Sequence, residues 1–123
     1  MLQIFLKSTS LVLTILFLMA EATAQGSFFS AIDDLPLMEG LNEAEDGTMV
    51  FDSSSGRIVE ALSNGMVTRQ RVIKFYSETL PQLGWLEISP GQFVREYETL
   101  KIEFPTSPVG KELNVLFMLS PAQ

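Results

Sequence analysis

One segment of this chain repeats apolar residues every three or four positions, and it stands between runs that alternate every two. Val72, Phe75, Tyr76, Thr79, Leu80 and Leu83 fall on one face of a helix, with Arg69, Gln70, Lys74 and Glu78 largely on the other. Thr68 is placed to cap its first turn. Pro81 and Gly84 are placed to end it, the first lacking an N–H and the second tolerating a left-handed backbone. Ahead of the helix, Thr48–Asp52 and Arg57–Ser63 read as strands joined by the turn Ser53-Ser54-Ser55-Gly56. Behind it come Trp85–Ile88, Phe93–Tyr97, Leu100–Phe104 and Leu113–Leu119, separated by Ser89-Pro90-Gly91, Glu98-Thr99 and a Pro/Gly loop. In the last strand Leu113, Val115, Phe117 and Leu119 share a face, while Leu116 and Met118 make the second face apolar too. The expected fold is α+β: one amphipathic helix on a mostly antiparallel sheet of five to six strands, in the order β-β-α-β-β-β-β.

The first residues form a different pattern. Lys7, the apolar stretch Leu11–Ala20 and the small-x-small sequence Ala22-Thr23-Ala24 predict a signal peptide over residues 1–24, cleaved between Ala24 and Gln25. The uninterrupted apolar run is shorter than the ~20 residues needed to span a bilayer. The expectation is therefore an exported protein, periplasmic or secreted, with no stable membrane insertion after cleavage. Residues 25–123 suffice for one compact domain and are too few for two.

Composition narrows the chemistry. The chain has neither cysteine nor histidine. This removes disulfide staples, thiol catalysis, Ser-His-Asp triads, imidazole bases and the commonest zinc ligands. The net charge is −7, and six acids without a base lie in Asp33, Asp34, Glu39, Glu43, Glu45 and Asp46. From Gly47 onward, seven bases nearly balance eight acids. Residues 25–46 are accordingly read as an extended acidic leader and residues 47–123 as the folded domain. Nucleic acid is not an expected partner, because phosphate contacts need a basic patch.

Candidate sites are few. Glu43, Glu45 and Asp46 before Gly47 offer oxygens to a hard cation but lack the spacing of an EF-hand loop. Glu60, Glu96, Glu98 and Glu103 sit on or beside strands, with no sign of a pair across a cleft. Ser77 or Ser89 with Lys74 is a Ser/Lys pairing by sequence proximity only. No catalytic, metal or cofactor residue is therefore assigned, and no cofactor is expected. Tyr76, Trp85 and Tyr97 could form an aromatic platform, although core packing is the simpler role for aromatics at this spacing. Within the leader, Leu35, Leu37, Met38 and Leu41 have a plain reading as a strap across the domain's core edge and a sharper one as candidate partner-binding residues of a docking motif.

The segment Phe75-Tyr76-Ser77-Glu78-Thr79-Leu80-Pro81-Gln82-Leu83-Gly84-Trp85 resembles a group of small exported proteobacterial proteins sharing an FYxxTLPxLGW stretch. The leader Asp34–Leu41 and the run Phe51–Glu60 are similar to the same group, so the likeness covers about Asp33 to Phe104. The resemblance implies an exported location and a hairpin–helix–meander fold, and it implies no activity. The functional expectation is a non-catalytic accessory or protein-binding domain whose partner is another envelope protein. The alternative is a small-ligand or hydrolytic domain with a pocket between helix and sheet.

Overall fold

The computed structural model describes residues 27–106 and 111–122. The expected signal peptide and the Ala24–Gln25 junction lie outside the described residues. In chain order the elements are β1 (Asn42–Ser53), β2 (Gly56–Gly65), α1 (Arg69–Thr79), β3 (Leu86–Ser89), β4 (Gln92–Arg95), β5 (Glu98–Glu103) and β6 (Leu113–Pro121). All six strands join one antiparallel sheet in the order β1-β2-β6-β5-β4-β3. Among the described residues, the α+β class, the single α-helix and the β-β-α-β-β-β-β order are as the sequence predicts.

Local chemistry fixes the helix ends. The Thr68 hydroxyl accepts from the Arg71 N–H at 3.2 Å, satisfying one donor that the first turn leaves free. After Thr79 the chain tightens into a 3₁₀ turn, Leu80–Leu83, with Pro81 in its first half. Gly84 then adopts φ 90°, and its N–H reaches the Pro81 carbonyl at 3.2 Å. Trp85 follows directly, carried into the core at the corner where helix gives way to strand.

Most strand ends shift by one or two residues from the sequence expectation, and two departures are larger. β1 begins at Asn42, well before Thr48, because Asn42 and Glu43 pair with Asn64 and Ser63. The register shifts between Glu43 and Thr48, and the acidic residues there are taken up in a bulge with Asp46 at φ 57°. The turn between β4 and β5 is Glu96-Tyr97, with Glu96 at φ 53°, and not Glu98-Thr99. Glu98 and Thr99 pair with Pro121 and Ser120 of β6, so they belong to the ladder.

The larger correction concerns the leader. Residues 27–41 form a strap folded over the same sheet face as α1, not an extended segment apart from the domain. Phe29, Ile32, Leu35, Met38 and Leu41 are all buried in the single core cluster with Val59, Val72, Tyr76, Phe93, Leu100, Val115, Phe117 and Leu119. Their spacing of three lets each turn of an irregular strap send one side chain inward, while Asp33, Asp34 and Glu39 stay exposed. Backbone bonds brace the strap, from Phe29 N–H to Leu35 O at 3.0 Å and from Leu37 N–H to Ser27 O at 2.9 Å. The domain thus includes residues 27–41, and the expected boundary at residue 47 falls inside β1.

Tyr76 fastens the strap to the helix. Its hydroxyl donates to the Pro36 carbonyl at 2.7 Å and accepts from the Met38 N–H at 3.1 Å. Its ring meets Phe117 of β6 at 5.0 Å between centroids, and Phe29 of the strap meets the same Phe117 at 4.7 Å. Burial holds the phenol far above its ordinary pKa of 10, partly countered by the hydrogen bond from Met38. Because the folded-state value is raised, this contribution to stability is fully present below about pH 10 and fades as pH rises beyond it. Tyr76→Phe is expected to cost about 1–3 kcal/mol at neutral pH, since two backbone groups lose their partner. The same variant should flatten the decline in stability above pH 10, which urea melts across pH 8–11.5 would measure.

The strap crosses the sheet at a pair of glycines. A side chain at Gly65 of β2 would overlap the Gly40 carbonyl oxygen, and Gly40 itself sits at φ +97°. Glycine at 65 is what lets the two backbones approach so closely, while glycine at 40 accommodates the left-handed backbone beside the Val67 side chain.

Candidate functional site

The strap settles where the predicted docking residues lie. Leu35, Met38 and Leu41 are buried, and Leu37 is half-buried and packed against the core cluster. Side chains that complete a core are not available to a partner, so the docking-motif reading is dropped and the strap reading stands. The aromatic platform also dissolves, because Tyr76 and Trp85 are interior while Tyr97 stands 86% exposed at a turn.

The carboxylates are scattered. Glu43 accepts both the backbone N–H and the hydroxyl of Ser30, at 2.9 and 3.0 Å, which ties β1 to the start of the strap. Glu87 accepts from Ser77 at 3.1 Å, so this serine is held by a carboxylate rather than paired with Lys74. Asp34 meets Arg95 at 2.7 Å, and the Arg95 guanidinium lies 4.2 Å above the Trp85 ring. Among the described residues, no three acidic side chains converge as metal ligands would. No buried polar side-chain atom there lacks a hydrogen-bond partner.

Two surface features remain. The first is a cleft of about 360 Å³ between the strap and α1, lined by Met38, Glu39, Arg71, Lys74, Phe75 and Glu78. Its four charged groups are mixed in sign and exposed at the rim. It lies between helix and strap, not between helix and sheet.

The second is the sheet face turned away from α1 and the strap. Residues paired across neighbouring strands share a face, so the register fixes its membership. One row runs Met49–Glu60–Met118–Lys101–Gln92 across β1, β2, β6, β5 and β4. A neighbouring row contains the pairs Phe51–Ile58, Ser120–Thr99 and Thr99–Val94, continuing to Leu86 on β3. On the other side, Leu62 pairs with Leu116, and Leu116 with Glu103. Met49, Phe51 and Leu86 are 56%, 44% and 65% exposed, and Ile58, Leu62, Leu116 and Met118 are half-buried with no layer of the described chain above them. The apolar second side of β6 was legible in Leu116 and Met118. The contribution of β1 and β2 depends on a register that the sequence did not supply.

Compared with known proteins, the chain matches no family model, no curated protein sequence and no solved structure. No helix among the described residues is long and apolar enough to cross a membrane.

Proposed function

We propose that the chain is an exported, non-catalytic accessory domain that binds protein through the open face of its sheet. The observation carrying this reading is the apolar patch of Phe51, Ile58, Leu116 and Met118, spread over neighbouring rows and left uncovered on a domain whose other face holds the core. An antiparallel sheet with one solvated face ordinarily presents polar residues there. An uncovered apolar face rimmed by charges is the usual mark of an interaction surface. The Lys7–Ala24 pattern and the resemblance of Phe75–Trp85 to exported proteins support an envelope location, the periplasm first.

Placing a photo-crosslinking amino acid at Met118 in the expressing cell tests the reading. Adducts to protein in the envelope fraction are expected there and not from Tyr97, exposed on a turn away from the face. Absence of adducts from Met118, Leu116 and Ile58 alike would remove the face as a binding surface. The alternative, a small-ligand domain, draws its support from the cleft beside Arg71 and Lys74, and it predicts ligand-dependent shifts confined to those residues.

A further inference from the structure

We infer that the partner of the open sheet face is a second copy of this chain, packed face to face about a two-fold axis running along β6. The inference rests on the reading of that face as a protein-binding surface and goes further by naming its occupant. What selects the occupant is the charge pattern.

Glu60 and Lys101 lie in one row on either side of Met118, on β2 and β5. Two strands separate them by about 10 Å, so they flank the centre of the face without neutralising each other. Neither has an ion-pair partner among the described residues. Two sheets stacked face to face with their strands aligned sit ~10 Å apart. A two-fold axis in the contact plane, parallel to β6, exchanges the β2 side of one copy with the β5 side of the other. Glu60 of each copy then stands over Lys101 of its partner, and Met118 meets Met118 on the axis.

The neighbouring rows agree with this exchange. Ile58 comes over Thr99, and Phe51, one strand further out, comes over Val94. Leu116 meets its own copy on the axis, and Leu62 comes over Glu103, whose side chain is exposed in the single copy. The competing two-fold, perpendicular to the strands, would set Glu60 on Glu60 and Lys101 on Lys101. Apolar contact along β6 supplies the attraction in either case. The charges choose the orientation, since like charges brought together cost several kcal/mol while opposite pairs fix register. A self-complementary patch is what an isologous dimer needs.

The test uses protein purified from cells expressing the full chain, so that any processing has taken place, and reads molar mass by sedimentation equilibrium. A dimer is expected. Glu60→Lys and Lys101→Glu should each raise the dimer dissociation constant at least tenfold, and the double charge swap should restore it. Met118→Lys should give a folded monomer that melts cooperatively and independently of protein concentration, lower than wild type by no more than the dimer's contribution, because this side chain lies outside the core cluster.

A wild-type protein that stays monomeric at high micromolar concentration overturns the inference. So does a dimer indifferent to all these substitutions, or single variants that the double swap fails to rescue. If the monomer nevertheless crosslinks from Met118 to a different envelope protein, the face keeps its binding role and only the second copy is lost. If no crosslink forms at all, both ideas fall together.

Discussion

A chain that begins at Asn42, and so lacks the strap, is expected not to fold. Phe29, Ile32, Leu35, Met38 and Leu41 would be missing from the core cluster, each worth ~1.5–3 kcal/mol when fully buried. Together they reach the whole stability of an ordinary domain, about 5–15 kcal/mol. The loss is two-sided, because Tyr76 and Phe117 would lose the surface they cover and the Tyr76 hydroxyl would lose both strap partners. Ordering the strap costs chain entropy, and the burial must exceed that cost for the strap to dock. Circular dichroism and amide dispersion in NMR spectra would decide the matter. A cooperative melt within about 2 kcal/mol of the full chain would show that the strap is dispensable.

Trp85→Ala should be the most damaging single substitution at the helix–strand corner, at roughly 3–5 kcal/mol. Trp85 is 4% exposed, with the Arg95 guanidinium stacked on its ring. Arg95 is itself held by the Leu83 carbonyl at 3.1 Å and by Asp34. The corner thus consists of a buried indole under a cationic lid, with the strap contributing the latch. Asp34 is 53% exposed, so Asp34→Asn should cost less than about 1 kcal/mol. The contrast separates burial of the indole from the ion pair above it. Equal effects in denaturant melts would mean that the latch, and not the packing, holds the corner.

The helix and the order of elements were legible because their signals are local. Thr68, Pro81 and Gly84 act within a few residues of themselves, and the three- and four-residue spacing of Val72, Tyr76 and Leu80 needs no distant partner. The strap was hidden by its charge. Asp33, Asp34 and Glu39 made residues 33–46 look solvated, whereas the interval of three from Phe29 to Leu41 matches neither the helical nor the strand period. Such a spacing becomes meaningful only against the groove between α1 and the sheet. The Tyr76 hydroxyl likewise depends on backbone groups 38 and 40 residues away. The same holds for the open face: alternation identified Leu116 and Met118, but the pairings of β6 with β2 and β5 arise from contacts distant in sequence. Pairing register across such separations is not written in any local pattern.

The position of β6 has a consequence for the life of the chain before it is folded. β6, synthesised after the other five described strands, joins two otherwise separate pieces, the β1–β2 hairpin and the β3–β4–β5 meander. Until it arrives there is no continuous sheet for the strap and helix to lie on, and a lone hairpin is marginal in water. Folding of the sheet therefore waits for β6 and then closes through contacts between distant parts of the chain, which makes it slow to begin. A ribosome-bound copy that has not yet exposed β6 remains an open thread. Loss of β6 would be felt by every layer of the molecule at once.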